Sequence, residues 1–195
     1  SHFLFGLWMC LQFNCQAQNT DFNTKINNNL NSRFLKLLEF PIDSVGFPRS
    51  MSKTGVIHKV PSKDWTSGFY VGNLWQIYTL RGDSRYKEYA TKWIPFLEKE
   101  KYNAGTHDMG FKIFCSYGKG YAITQSEEYK KVIIKSAQTL CTRFNKKVGS
   151  IKSWDNRTKW DFPVIIDNMM NLELLFEASK MTGDDSFKKI AIQHA

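Results

Sequence analysis

The stretch Gly72-Asn73-Leu74-Trp75-Gln76-Ile77-Tyr78-Thr79-Leu80-Arg81-Gly82-Asp83, running into Ser84-Arg85-Tyr86-Lys87, decides the fold. It has the pattern of an apolar helix that stops at a glycine and restarts, behind an Asp, as an amphipathic helix. The same plan returns in Asn171-Leu172-Glu173-Leu174-Leu175-Phe176-Glu177-Ala178-Ser179-Lys180-Met181-Thr182-Gly183-Asp184, running into Asp185-Ser186-Phe187-Lys188. A weaker copy, Gly118 to Thr124 followed by Gln125-Ser126-Glu127-Glu128-Tyr129-Lys130, lies between them. Gly82 and Gly183 are suited to left-handed C-caps, and Asp, Ser or Glu then starts each second helix. There an aromatic (Tyr86, Tyr129 or Phe187) is placed to pack back onto the first helix. The first helices are more apolar and the second more charged, as in an inner and an outer layer. Hairpins recurring every roughly 40–60 residues mean a solenoid or a closed ring. No strand-period alternation competes, so the fold class is all-α.

Outward from this repeat, Asn23 to Phe40 predicts a helix with Ile26, Leu30, Phe34, Leu37 and Leu38 on one face. Phe40 to Lys63, broken by Pro41, Gly46, Pro48, Gly55 and Pro61, predicts a long irregular connection. Phe3 to Phe13 is mostly apolar, the length of a secretory core and too short to span a bilayer. Cys15-Gln16-Ala17 supplies small residues for signal peptidase, so residues 1–17 are expected to be the remnant of a signal peptide. That implies export to the periplasm or beyond. A lipoprotein signal is the rival, poorly served by Trp8 and Met9 before Cys10 and by Phe13 and Asn14 before Cys15. At the other end, Ile190-Ala191-Ile192-Gln193-His194-Ala195 stops in mid-helix, so residues 18–195 are expected to be the N-terminal part of a longer ring.

The formal charge of +9 invites a nucleic-acid partner, but the 27 Lys and Arg are scattered and no zinc-finger spacing or recognition helix accompanies them. The charge can instead attract an anionic substrate. Fifteen Phe, eight Tyr and six Trp suit either sugar stacking or a large helical core, so composition leaves both open. In the body of the chain, Cys115 lies ten residues before the turn at Gln125 and Cys141 sixteen after it. On antiparallel helices that offsets them by about 9 Å, beyond the ~7 Å a disulfide spans. Two free, buried thiols are expected.

Two carboxylates stand out by position. Asp108, in Gly105-Thr106-His107-Asp108-Met109-Gly110-Phe111, is placed at the start of the second inner helix. Asp167, in Val164-Ile165-Ile166-Asp167-Asn168-Met169-Met170-Asn171-Leu172, is placed at the start of the third. Both then lie near one end of neighbouring inner helices, at the mouth of a ring. A helix N-terminus lowers a carboxyl pKa, whereas the apolar neighbours of Asp167 would raise it. Carboxyls with opposed environments suit acid and base work on a glycosidic substrate. Either Asp taken alone is more simply an N-cap; the repetition sets the two readings level. Trp65, Phe69 and Trp154 fall in connections leading to inner helices, where they either stack on sugar or pack loops onto the rim. His107 could hydrogen-bond a carboxylate or a hydroxyl. It has no second His at metal-ligand spacing, and there is no phosphate loop, Ser-His-Asp set or reactive-Cys context.

At these residues the sequence resembles the unsaturated glucuronyl hydrolases, glycoside hydrolase family 88. The resemblance rests on Trp65-Thr66-Ser67-Gly68-Phe69, Thr106-His107-Asp108-Met109-Gly110-Phe111, Ser153-Trp154-Asp155 and Ile166-Asp167-Asn168-Met169-Met170-Asn171, with Thr182-Gly183-Asp184 and the closing helix. It covers roughly Phe34 to the end. It implies an (α/α) toroid of six hairpins, of which this is the N-terminal half. The implied substrate is the 4,5-unsaturated uronic acid at the non-reducing end of lyase-generated oligosaccharides, and the implied reaction is hydration of its vinyl ether double bond. Asp167 would be the acid/base, Asp108 the second essential carboxylate, and Trp65, Phe69, His107 and Trp154 would line the sugar site. No metal, organic cofactor, nucleic acid or membrane span is implied. The family also draws His, Gln, Arg and Trp residues from later in the ring, so this stretch alone is expected to be inactive and poorly folded. Three alternatives remain: an unsaturated rhamnogalacturonyl hydrolase, a non-catalytic helical toroid that binds glycans or protein, and an inverting hydrolase of saturated substrates.

Overall fold

Glycine and acid punctuation sets the helix ends. The computed structural model describes residues 24–25, 27–155 and 159–195, which fall into two units, Ser1–Pro41 and Ile42–Ala195. In the first unit residues 27–37 are helical (α1), within the predicted span; Phe34, Leu37 and Leu38 are half-buried. Ile26 and the expected signal remnant lie outside the described residues.

The second unit carries the hairpins. Helix α2 (Ser67–Arg81) turns into α3 (Ser84–Trp93), and a 3-10 segment, Ile94–Tyr102, follows. Gly110–Gly118 runs on into α4 (Lys119–Thr124), which turns into α5 (Glu127–Cys141). Helix α6 (Glu173–Thr182) turns into α7 (Asp185–His194). The three turns are left-handed at Gly82 (φ 70°), Gln125 (φ 55°) and Gly183 (φ 75°). Gln125, which pays the Cβ penalty that glycine avoids, has its amide nitrogen donating to the Tyr121 carbonyl at 3.1 Å. Asp83, Ser126 and Asp184 then cap the second helices, accepting from the N–H groups of Arg85, Tyr129 and Ser186. Each cap contributes about 1 kcal/mol.

Trp75, Trp93, Leu74, Leu97, Ile113, Ile133, Leu140 and Leu175 are buried between the layers. The expected back-packing holds: Tyr86 and Phe187 are buried, and Tyr129 meets Tyr117 edge-on with centroids 5.2 Å apart. Helix α2 approaches the Gly110–Gly118 segment so closely that a Cβ on Gly68 would stand 2.3 Å from the Phe111 and Lys112 carbonyl oxygens.

Three local expectations need correction. The connection over 40–63 is not wholly irregular: β1 (Phe47–Met51) pairs antiparallel with β2 (Ile57–Val60). Only Phe47 and Val60 of this hairpin are buried, so it shows too little alternation to register as strand. A second short pair joins β3 (Phe144–Asn145) to β4 (Ser150–Ile151). Gly110–Gly118 is wound as a π-helix rather than an α-helix, with the Ser116 hydroxyl donating back to the Lys112 carbonyl at 2.6 Å. Cys115 and Cys141 are free, as expected, but half-buried; burial pushes their thiols up to about 11 and about 12. Among the described residues no helix is long and apolar enough to cross a membrane.

Candidate active site

Asp108 precedes the π-helical segment by two residues, and Asp167 lies in a 3-10 turn, Ile166–Asn171, ahead of α6. The inner helix expected to begin at Asp167 therefore begins at Glu173 instead. Neither aspartate is the N-cap: those positions belong to Met109 and Ile165, without side-chain capping bonds. This removes the simplest structural explanation for both acids.

The two carboxylates meet at one ring nitrogen. Nε2 of buried His107 stands 3.3 Å from Oδ1 of Asp108 and 3.5 Å from Oδ1 of Asp167. With two acceptors facing it, Nε2 is the nitrogen that carries a proton. The Thr106 hydroxyl donates to the other oxygen of Asp108 at 2.5 Å. Trp154 pairs with Thr106 through an antiparallel bridge, and its ring stands edge-on to His107 at 6.2 Å.

Fully buried Ser153 aligns the two segments. Its carbonyl accepts the His107 N–H (3.2 Å), its hydroxyl accepts the Ile165 N–H (3.1 Å), and its own N–H donates to Pro163 (2.8 Å). Asn171 adds a second tie, its Oδ1 accepting the Phe111 N–H at 3.0 Å. Gly110 makes that approach possible, since a Cβ there would stand 2.6 Å from the Asn171 Cα.

Electrostatics separates the two acids. Burial pushes Asp108 up, but hydrogen bonds from His107 and Thr106, with the charges of His107 and Lys112, outweigh it and hold the carboxyl low. Burial also pushes Asp167 up; the charge of His107 opposes this, the charge of Asp108 adds to it, and the net shift is upward. Both directions match the expectation, but the reason given for Asp167 does not. Ile166 and Met170 are 86% and 67% exposed, and Val164 and Met169 are exposed too, so these neighbours face solvent rather than close over the acid. Its desolvation comes from the His107 side of the turn, where Oδ1 is shielded from solvent.

Beneath Asp108 lies a charge pair that the sequence pattern did not reveal. Lys112 is fully buried, with Nζ 3.1 Å from Glu100 Oε2. Glu100 also accepts from the Ser62 hydroxyl and the Asn103 amide, both at 2.7 Å. The available signal was a Lys inside Gly110-Phe111-Lys112-Ile113-Phe114, an apolar run that can hold a charge only if a partner comes with it. Arg143 was also missed. It holds Asp155 at 3.0 Å and donates to the Lys152 and Ala104 carbonyls, fixing the strip that carries Trp154.

The remaining aromatics form a neighbouring cluster. Trp65, Phe69 and Phe111 touch pairwise, with centroids 5.6–5.9 Å apart. Phe69 lies inside α2 rather than ahead of it, and Trp65 is 44% exposed. Phe111, three residues after Asp108, joins this cluster to the acid-bearing segment. By donor type, His107, Asp108 and Asp167 could also hold a divalent cation, their ligand atoms lying within 4.8 Å of one another. The same closeness disfavours charging both carboxylates together.

The description Glycosyl Hydrolase Family 88 matches residues 47–195. The chain belongs to this family. Among family 88 relatives, the unsaturated glucuronyl hydrolase of Formosa agariphila is 57% identical over 171 residues, covering 86% of this chain and 43% of that protein. The unsaturated chondroitin disaccharide hydrolase of Streptococcus agalactiae serotype III is 31% identical, covering 82% of this chain and 42% of that protein. A crystal structure of an unsaturated glucuronyl hydrolase specific for heparin aligns with a TM-score of 0.77 at 39% identity, over 82% of this chain and 43% of that one. The chain thus spans under half the length of the family 88 relatives it matches. Its hairpins are part of the α/α toroid, as the resemblance implied; the repeat alone had left a solenoid open as well.

Proposed function

We propose that the protein of which this chain forms part is a hydrolase that removes 4,5-unsaturated uronic acid from the non-reducing end of lyase-generated oligosaccharides. The observation that carries this reading is the placement of His107 Nε2 between two carboxyls whose pKa values are driven apart. Hydrating a vinyl ether needs an acid that keeps its proton and a neighbouring anion. Asp167 is suited to the first role and Asp108 to the second.

In the proposed reaction Asp167 gives its proton to C4 of the unsaturated ring, and the C4=C5 electron pair forms the new C–H bond. Asp108 faces the positive character that develops at C5. Asp167, now a carboxylate, takes a proton from the water whose oxygen bonds to C5. The hemiketal so formed opens and releases the next sugar. Trp65, Phe69 and Trp154 supply flat faces for the sugar, and His107 keeps both acids in register. Export, as the leader predicts, would place the enzyme where polysaccharide lyases release such products.

The relatives' names support the substrate class: a family 88 structure from Streptococcus agalactiae is complexed with dGlcA-GalNAc6S. The test is loss of the double bond's ultraviolet absorbance when the full-length protein is mixed with unsaturated disaccharides from several polysaccharides. Absorbance that stays constant with every disaccharide refutes the reading.

A further inference from the structure

His194 ends α7 and has no part in the chemistry above. Its Nδ1 accepts the Ile151 backbone N–H at 3.0 Å, and its Nε2 lies 3.1 Å from the Asn168 side-chain amide. A backbone donor at Nδ1 requires a lone pair there, so the neutral ring carries its proton on Nε2. Nε2 is then a donor, so the Asn168 amide, placed with Nδ2 toward the ring, must be turned over to offer its oxygen, which otherwise has no partner. Burial pushes the His194 pKa down and nearby His107 adds to the effect, in keeping with a neutral ring.

Both partners of this ring lead to the acid pair. Asn168 is fully buried, follows Asp167 directly, and closes the turn by donating its N–H to the Ile165 carbonyl at 3.2 Å. Ile151 lies in β4, two residues before the Ser153 that holds His107 and Ile165. The ring therefore closes a circuit from β4 to the Asp167 turn, alongside the tie that Ser153 makes to Ile165.

We infer that His194 is a positioning residue, whose neutral Nε2–H tautomer fixes the Asn168 side chain and thereby the Asp167 turn. Loss of the ring would leave a buried amide without its donor and release the turn at Asn168. This role rests on the reading of Asp167 as the proton donor.

Full-length protein labelled with 15N and 13C tests it in three ways. Long-range proton–nitrogen spectra are expected to show His194 with its proton on Nε2 at neutral pH; an Nδ1–H tautomer or an imidazolium overturns the inference. His194→Asn keeps an acceptor for Ile151 but cannot reach Asn168, whereas the His194→Gln amide nitrogen reaches the Nε2 position. With an unsaturated disaccharide, kcat should fall about tenfold in H194N with KM changed less than about twofold, and H194Q should recover most of the loss. Unchanged kcat in both variants, or equal loss in both, overturns it. The 13C titration of the Asp167 carboxyl should also shift in H194N and not in H194Q; an unmoved titration in both overturns it. The spectra decide the matter even if the wild-type protein leaves the disaccharide intact, an outcome that would refute the substrate reading alone.

Discussion

Gly110 and Asn171 meet with no side chain between them: a Cβ on Gly110 would lie 2.6 Å from the Asn171 Cα. The acid-bearing segments touch here backbone to backbone, and the Phe111 N–H reaches the Asn171 side chain only because they do. Gly110→Ala must push the segments apart. The expected cost is about 1–3 kcal/mol of stability, seen as a lower melting temperature in circular dichroism, with a fall in kcat larger than the stability loss explains. An unchanged melt would show that the contact is not tight.

Substitution of the two acids should separate their roles. Asp167→Asn removes the transferable proton and should lower kcat by about 100- to 10,000-fold. Asp108→Asn should lower kcat as well and leave Asp167 easier to ionise, because a neighbouring negative charge has gone. Near-normal turnover in both variants would move the chemistry to other residues.

The rate should follow a bell in pH. In the proposed reaction the resting enzyme holds Asp108 ionised and Asp167 protonated. Asp108 is held low, so the acid limb falls away only as pH drops through its depressed pKa. Asp167 is held high, so the alkaline limb falls as pH rises through its elevated pKa. In a kcat/KM profile the alkaline limb should move in D108N toward lower pH. A limb that stays in place would assign it to another group.

Lys112 and Glu100 should behave as one buried unit. Lys112→Met leaves Glu100 charged and without its partner, at an expected cost of about 3–5 kcal/mol. The double variant K112M/E100Q should recover much of this, because a neutral amide can still bond to Ser62 and Asn103. Denaturant melts of the two single variants and the double variant give the coupling directly.

Chelation offers a simple control for the His107, Asp108 and Asp167 group. Turnover is expected to be the same before and after EDTA treatment and dialysis. A loss that added Mn²⁺, Ca²⁺ or Zn²⁺ restores would reassign the trio as metal ligands.

Much of the fold was legible because the repeat carries its own punctuation. Gly82, Gly183, Asp83, Ser126 and Asp184 all act as their residue types predict. Both acids could be picked out because each sits ahead of an inner helix of the repeat, inside apolar, Met-containing sequence, and His107 because it adjoins one of them. What escaped the sequence is three-dimensional. The β1–β2 hairpin is anchored by only two buried residues, and the π winding from Gly110 has no local signature. Val164, Ile166, Met169 and Met170 look like a shell around Asp167 on paper, yet the 3-10 turn points them outward. Lys112, Ser153 and His194 gain meaning only from partners distant in sequence.

That outward turn has a further consequence. Ile166 and Met170 stand beside an acid that is itself 45% exposed, so part of its hydration shell is still in place before a ligand arrives. A sugar ring settling on those greasy flanks would strip that water away and make ionisation harder still. The ligand would thus tighten the grip of Asp167 on the very proton it is about to receive, and an empty site would be a weaker reservoir than a filled one.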